Sequence, residues 1–190
     1  MQALEVYDLD TNIAGISLYA FEWSQAASRS FTPASNGSDV YFFQHAQSWG
    51  QIWSKRMWQE FREWYIVHKD FEITANVPDN VKNWSAKSWL KYHIWYCVEK
   101  NKYFVYPYVS LSTNYSDLGE HLKGDSTFFQ VPILTGNRVR YDMPELDINS
   151  CKYDVFFERQ ELGDFLNVQN NELCVDLYGI KKIGKRSDIG

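Results

Sequence analysis

Histidine is the first place to look for acid–base or metal chemistry at neutral pH, and this chain has four. His121 closes the polar turn Asn114-Tyr115-Ser116-Asp117-Leu118-Gly119-Glu120-His121, with two carboxylates close by in sequence. Oxygen and imidazole donors at that spacing suit Mg²⁺ or Mn²⁺, and a solvated loop accounts for the same residues equally well. His45 follows an aromatic strand and His68 follows a long helix. His93 falls inside a second helix, where packing or solvent satisfies it. Asp79, in Pro78-Asp79-Asn80 at a helix start, reads as a turn-former or cap. Its functional alternative is a general base that takes the proton from an incoming hydroxyl.

Aromatic residues are the other resource, at 17% of the chain. An aromatic-lined cleft suits the apolar faces of sugar rings, whereas an aromatic stripe at helical spacing belongs to a core. Trp53, Phe61, Trp89 and Trp95 fall in the second group. Trp23 sits in a Ser, Ala, Gly, Pro and Asn-rich stretch from Glu22 to Asp39, a long loop of the kind that carries function, and is a candidate for ligand contact. There is no phosphate-binding glycine loop, Gly-x-Ser-x-Gly elbow or His-Glu-x-x-His helix, so nucleotide-kinase and hydrolase readings lack support.

Composition narrows the partners. A net charge of −5 with no long basic block argues against nucleic acid, whose phosphates need clustered Lys and Arg. The short tail Lys181-Lys182-Ile183-Gly184-Lys185-Arg186 is either solvated or a contact for anionic lipid or a pyrophosphate-linked acceptor, so peripheral membrane association stays open. Cys97, Cys151 and Cys174 are odd in number and widely spaced, which indicates neither a disulfide framework nor a zinc site. The first residues lack a signal-peptide pattern, and no apolar run approaches the roughly 20 residues needed to span a bilayer. The expectation is a reducing, cytoplasmic setting, at the inner face of the membrane if the tail contacts lipid.

The elements that must position these groups follow from periodicity. Residues 1–9 read as the tail of a helix, and the apolar run Ile13 to Tyr19 as a buried strand. Val40 to Phe43 is a second strand. Trp49, Trp53, Met57 and Phe61 recur every fourth residue, which predicts a helix from Gly50 to about Val67. A second helix is predicted from Ser85 to Glu99, capped by Asn83 or Ser85 and apolar nearly all round. Tyr103 to Leu111 reads as a strand that Pro107 ends or confines to an edge. Phe128 to Leu134 is extended. Lys152 to Glu158 and Glu172 to Ile180 read as two strands of a hairpin-like appendage, with a short helical piece around Leu162 to Leu166.

Three blocks in one order carry a resemblance. Ser48-Trp49-Gly50-Gln51-Ile52-Trp53-Ser54-Lys55-Arg56-Met57-Trp58 resembles the Ser-Trp-Gly-x-x-Trp-x-x-x-x-Trp segment of bacterial family 2 glycosyltransferases of the GT-A fold. Tyr106-Pro107-Tyr108-Val109-Ser110-Leu111-Ser112-Thr113-Asn114 is similar to that family's Tyr-Pro-x-x-Ser-Leu-x-x-Asn, and Gly119-Glu120-His121 to its Gly-x-His. The blocks fall within residues 40–134.

The resemblance implies an α/β fold: an incomplete GT-A-type mixed sheet with packed helices, plus a small C-terminal β appendage. Residues 1–145 would be the acceptor-side half and 146–190 a C-terminal extension. It implies an inverting transferase that takes a nucleotide-sugar donor and a glycan or lipid-linked acceptor, with Mn²⁺ or Mg²⁺ in the complete enzyme. In that scheme His121 is the late metal or pyrophosphate ligand and Asp79 the base. Ser48, Trp49 and Gly50 lie on the acceptor side, where Trp23 is the ligand-contact candidate. The family's Asp-x-Asp does not appear. Asp8-Leu9-Asp10 follows a helix instead of ending a buried strand, and Gln51-Ile52 replaces the family's usual aromatic pair. The expectation is therefore a chain that lacks the donor half, is inactive alone and is prone to self-association. The alternative is a non-catalytic carbohydrate-binding or structural module.

Overall fold

Three consecutive-residue runs, Ile13–Ser17, Val40–Phe43 and Tyr103–Pro107, are buried at every position and build the centre of a sheet. The computed structural model describes residues 2–115, 127–168 and 175–181. In chain order the elements are α1 (Gln2–Tyr7), β1 (Ile13–Ser17), β2 (Trp23–Ser24), β3 (Arg29–Ser30), β4 (Val40–Phe43), β5 (Gln51–Ile52) and α2 (Lys55–His68). There follow α3 (Asp79–Lys82), α4 (Trp89–Glu99), β6 (Tyr103–Pro107), β7 (Lys152–Tyr153) and α5 (Gly163–Leu166). The protein is mixed α/β, with a five-stranded sheet in the order β5-β1-β6-β4-β7 and a small β2–β3 hairpin. β1 runs parallel to β6, and β7 parallel to β4; the other pairs are antiparallel.

Alternation divides the strand side chains between two apolar layers. Ile13, Ile16, Val40, Phe42, Tyr103 and Val105 join Tyr7 of α1 and Met57 on one face. Ala14, Tyr41, Phe43, Phe104 and Tyr106 meet Phe61, Trp64, Ile94 and Trp95 on the other. Burial on both faces explains why these strands read as unbroken apolar runs. Gly15 is required by this packing, because a Cβ there would lie 2.3 Å from the Phe104 ring.

Both long helices start later than periodicity predicts. Gly50 has φ +100°, a left-handed value that a helix cannot accommodate, and Gln51–Ile52 pairs with Ser17 and Ile16. Trp49 and Trp53 therefore precede the helix and belong to no helical stripe. Ser54 caps α2, its hydroxyl accepting from the Met57 N–H at 3.2 Å. α4 begins after Ser88, because Ser85–Ser88 closes a turn of its own. It ends in a Schellman arrangement: Asn101 has φ +49°, and Lys102 N–H donates to the Cys97 carbonyl at 2.8 Å. Its burial on nearly every side matches its apolar circumference. Phe61 and Trp95 are core residues as expected, while Trp53 and Trp89 are partly buried and pack against that core.

Pro107 ends β6, which lies at the middle of the sheet and not at its edge. The C-terminal portion also departs from expectation. Lys152–Tyr153 adds the strand next to β4, with Phe42 N–H donating to the Cys151 carbonyl at 2.8 Å. Residues 175–181 form turns, not a partner strand, and Glu172–Cys174 fall outside the described residues. The expected β appendage is thus replaced by an edge strand of the main sheet, with Cys151, Tyr153, Val155, Phe156 and Phe157 inside its core. Alternation in so short a strand gave no sign of its partner. No helix among the described residues is long and apolar enough to cross a membrane.

Candidate functional site

Two of the three family-like blocks meet where the chain leaves β1 and β6. The strands run parallel, so both exits face the same side, the position at which open α/β sheets commonly hold ligands. Leu18 is the junction. Its carbonyl accepts from Leu111 N–H at 2.7 Å and Ser112 N–H at 3.1 Å, while its own N–H donates to the Gly50 carbonyl at 2.9 Å. Ser110 Oγ accepts from Ala20 N–H at 2.9 Å and donates to the Ser112 carbonyl at 2.6 Å. Ser112 Oγ in turn donates to the Trp49 carbonyl. A Cβ on Gly50 would come within 2.9 Å of Ser112 Oγ, so the close approach and the positive φ both require glycine.

The preceding turn is fixed by Gln47, a buried amide whose Oε1 accepts from the Ser48 N–H and, at 2.9 Å, from the Trp49 N–H. Ser48 is left exposed and Trp49 half-buried. The Trp49 ring lies 5.0 Å from Tyr19 and 5.1 Å from Phe129. Phe129 belongs to a segment that returns across the same strand ends. Val131 N–H donates to Thr113 Oγ1 at 2.9 Å, Leu134 N–H to the Ser110 carbonyl at 2.7 Å, and Tyr19 OH to the Phe129 carbonyl at 3.1 Å. The adjacent Phe128 stacks on Trp23, centroids 4.6 Å apart and planes inclined by 26°. One Phe-Phe pair therefore joins the two candidate tryptophans. Nothing in the spacing marked these two phenylalanines; the only sequence signal was two adjacent aromatics directly after a polar stretch.

Hydroxyl, amide and indole groups dominate this corner. Burial pushes the Tyr19 phenol up, with Glu22 adding to the rise, so it stays protonated. Burial pushes His45 down to about 4, which keeps it neutral and unsuited to act as a base at pH 7. Its Nδ1 lies 2.7 Å from the Ala46 carbonyl, and its own carbonyl accepts from Tyr106 OH at 2.7 Å. Such a surface suits a neutral, hydroxyl-rich ligand better than a phosphate.

Ser48, Trp49, Gly50 and Trp23 are thus brought together, the last through the Phe pair. Asp79 is not among them. It is the exposed first residue of α3, which Lys91 ties to α4 through the carbonyls of Lys82 (2.7 Å) and Trp84 (3.0 Å). Gly119, Glu120 and His121 lie outside the described residues. Among the described residues, no three His, Cys, Asp or Glu side chains gather as a metal-ligand set. His93 is a core residue, 1% exposed, stacked on Trp53 at 5.4 Å and pushed down to about 3 by burial. Lys181 departs from the solvated-tail reading, since its amine pairs with Asp154 at 2.6 Å and with the buried Glu158 at 2.9 Å. No family model, curated protein or solved structure matches this chain.

Proposed function

We propose that this chain is the acceptor-side portion of an inverting glycosyltransferase of the GT-A type, working on a glycan or lipid-linked acceptor in the cytoplasm. The observation that carries the reading is the junction at Leu18, where Trp49-Gly50 and Ser110-Leu111-Ser112 lock together at the exits of two parallel strands. Ligands on this class of sheet sit outside the carboxyl ends of the strands, which is where these two segments are joined.

In the reaction, an acceptor hydroxyl oxygen bonds to the anomeric carbon of the donor sugar. The bond from that carbon to the nucleoside diphosphate breaks with its electron pair, and the hydroxyl proton passes to a carboxylate base. The aromatic and hydroxyl groups around Trp49 would orient the acceptor, the entropic part of the task. Resemblance alone gives Asp79 the role of base. Resemblance alone likewise gives His121 a place beside Mn²⁺ or Mg²⁺.

Titration with neutral oligosaccharides tests the reading. Saturable binding that alters tryptophan fluorescence is expected, and indifference to every saccharide tried would contradict it. A carbohydrate-binding module without transfer shares this prediction; the two separate on whether this chain, supplied with a donor-binding half, yields product from nucleotide-sugar and acceptor.

A further inference from the structure

Resting on that reading, we propose that the Phe128 ring, backed by Trp23, is a sugar-stacking platform that binds one pyranose unit of the acceptor beside Trp49. Phe128 is 57% exposed although one face lies on the Trp23 indole, so its other face meets solvent. Leaving one face of a planar apolar ring in water forgoes the burial that a core position would give it. A pyranose offers what that ring lacks, a face of C–H bonds whose partial positive charge complements the negative π face.

The platform is held from both sides. Trp23 opens a hairpin whose flanking Phe21 and Phe31 are both core residues, and Phe31 N–H donates to the Glu22 carbonyl at 2.8 Å. Phe128 sits in a turn closed by Gln130 N–H to the Thr127 carbonyl at 3.0 Å, and Phe129 anchors it against Trp49. A platform fixed at both ends loses little conformational freedom when a ligand lands on it. Thr127 and Gln130, exposed on either side of the Phe-Phe pair in the chain, carry a hydroxyl and an amide, the amide donating to the Tyr115 carbonyl at 2.9 Å.

The experiment compares the full chain with Phe128→Ala and Phe128→Tyr, titrated with the same neutral oligosaccharides. A thermal melt confirms folding, which an exposed ring should hardly affect. The expected result is a loss of affinity of about tenfold for Phe128→Ala, consistent with one lost aromatic contact, and retention in Phe128→Tyr. Undiminished binding by a folded Phe128→Ala overturns the platform while leaving the acceptor-side reading intact. A wild-type chain that binds no saccharide overturns both.

Discussion

Trp49 and Gly50 show how far single residues could be understood from sequence. The resemblance placed them on the acceptor side, yet the four-residue recurrence of Trp49, Trp53, Met57 and Phe61 suggested one helix that only the last two join. Periodicity carries no φ angle, and Gly50 at φ +100° is what separates a strand-end turn from a helical stripe. Gly50→Ala should therefore do two things. Forcing a Cβ into the left-handed region and against Ser112 should cost about 1–3 kcal/mol of stability, measured by denaturant titration. It should also weaken saccharide binding by displacing the Trp49 carbonyl from Ser112 Oγ. Phe128 and Phe129 escaped the sequence reading for a different reason: their partners, Trp23 and Trp49, are more than a hundred and about eighty residues away.

Elements were legible where burial was two-sided and opaque where pairing was short. β1, β4 and β6 announced themselves as continuous apolar runs, whereas β7 is two residues whose neighbour, β4, lies more than a hundred residues earlier. α2 owes its position to one side chain as well as to its apolar face. Arg56 donates through Nε to the Asp8 carbonyl at 2.6 Å and through Nη2 to the carbonyls of Asp10 and Ile13 at 2.9 and 3.2 Å. It also pairs with Glu60 at 3.0 Å, so the chain between α1 and β1 is fastened to α2. Arg56→Ala should lower stability by about 2 kcal/mol, because charge-assisted bonds to carbonyls are lost and several acceptors are orphaned. Arg56→Lys should recover only part, since an ammonium cannot reproduce the planar fork. Equilibrium unfolding of the three proteins checks the order.

For the molecule as a whole, buried imidazoles set the response to acid. His45 and His93 are held neutral by burial, at about 4 and about 3 against an ordinary 6.5. Both folded-state values are depressed, so the unfolded chain takes up protons first as pH falls. Stability should be flat between about pH 6.5 and 8 and should fall toward acid by about 1.4 kcal/mol per pH unit for each histidine down to about pH 4. Glu60 adds to the loss at lower pH, because although burial opposes it, its bonds with Lys102 and Arg56 hold its carboxyl below the usual range. Replacing His93 by Phe should roughly halve the slope between pH 6.5 and 4, read from unfolding midpoints across pH. An unchanged slope would assign the acid response to other groups.

The tryptophans report directly on the proposed saccharide site at the exits of β1 and β6. Eight indole N–H signals should be resolvable by NMR in a ¹⁵N-labelled chain titrated with neutral oligosaccharide. The indoles of Trp23 and Trp49 should shift with a common saturation curve, while those of the core residues Trp64 and Trp95 stay in place. Shifts confined to other tryptophans, or none at all, would contradict that site.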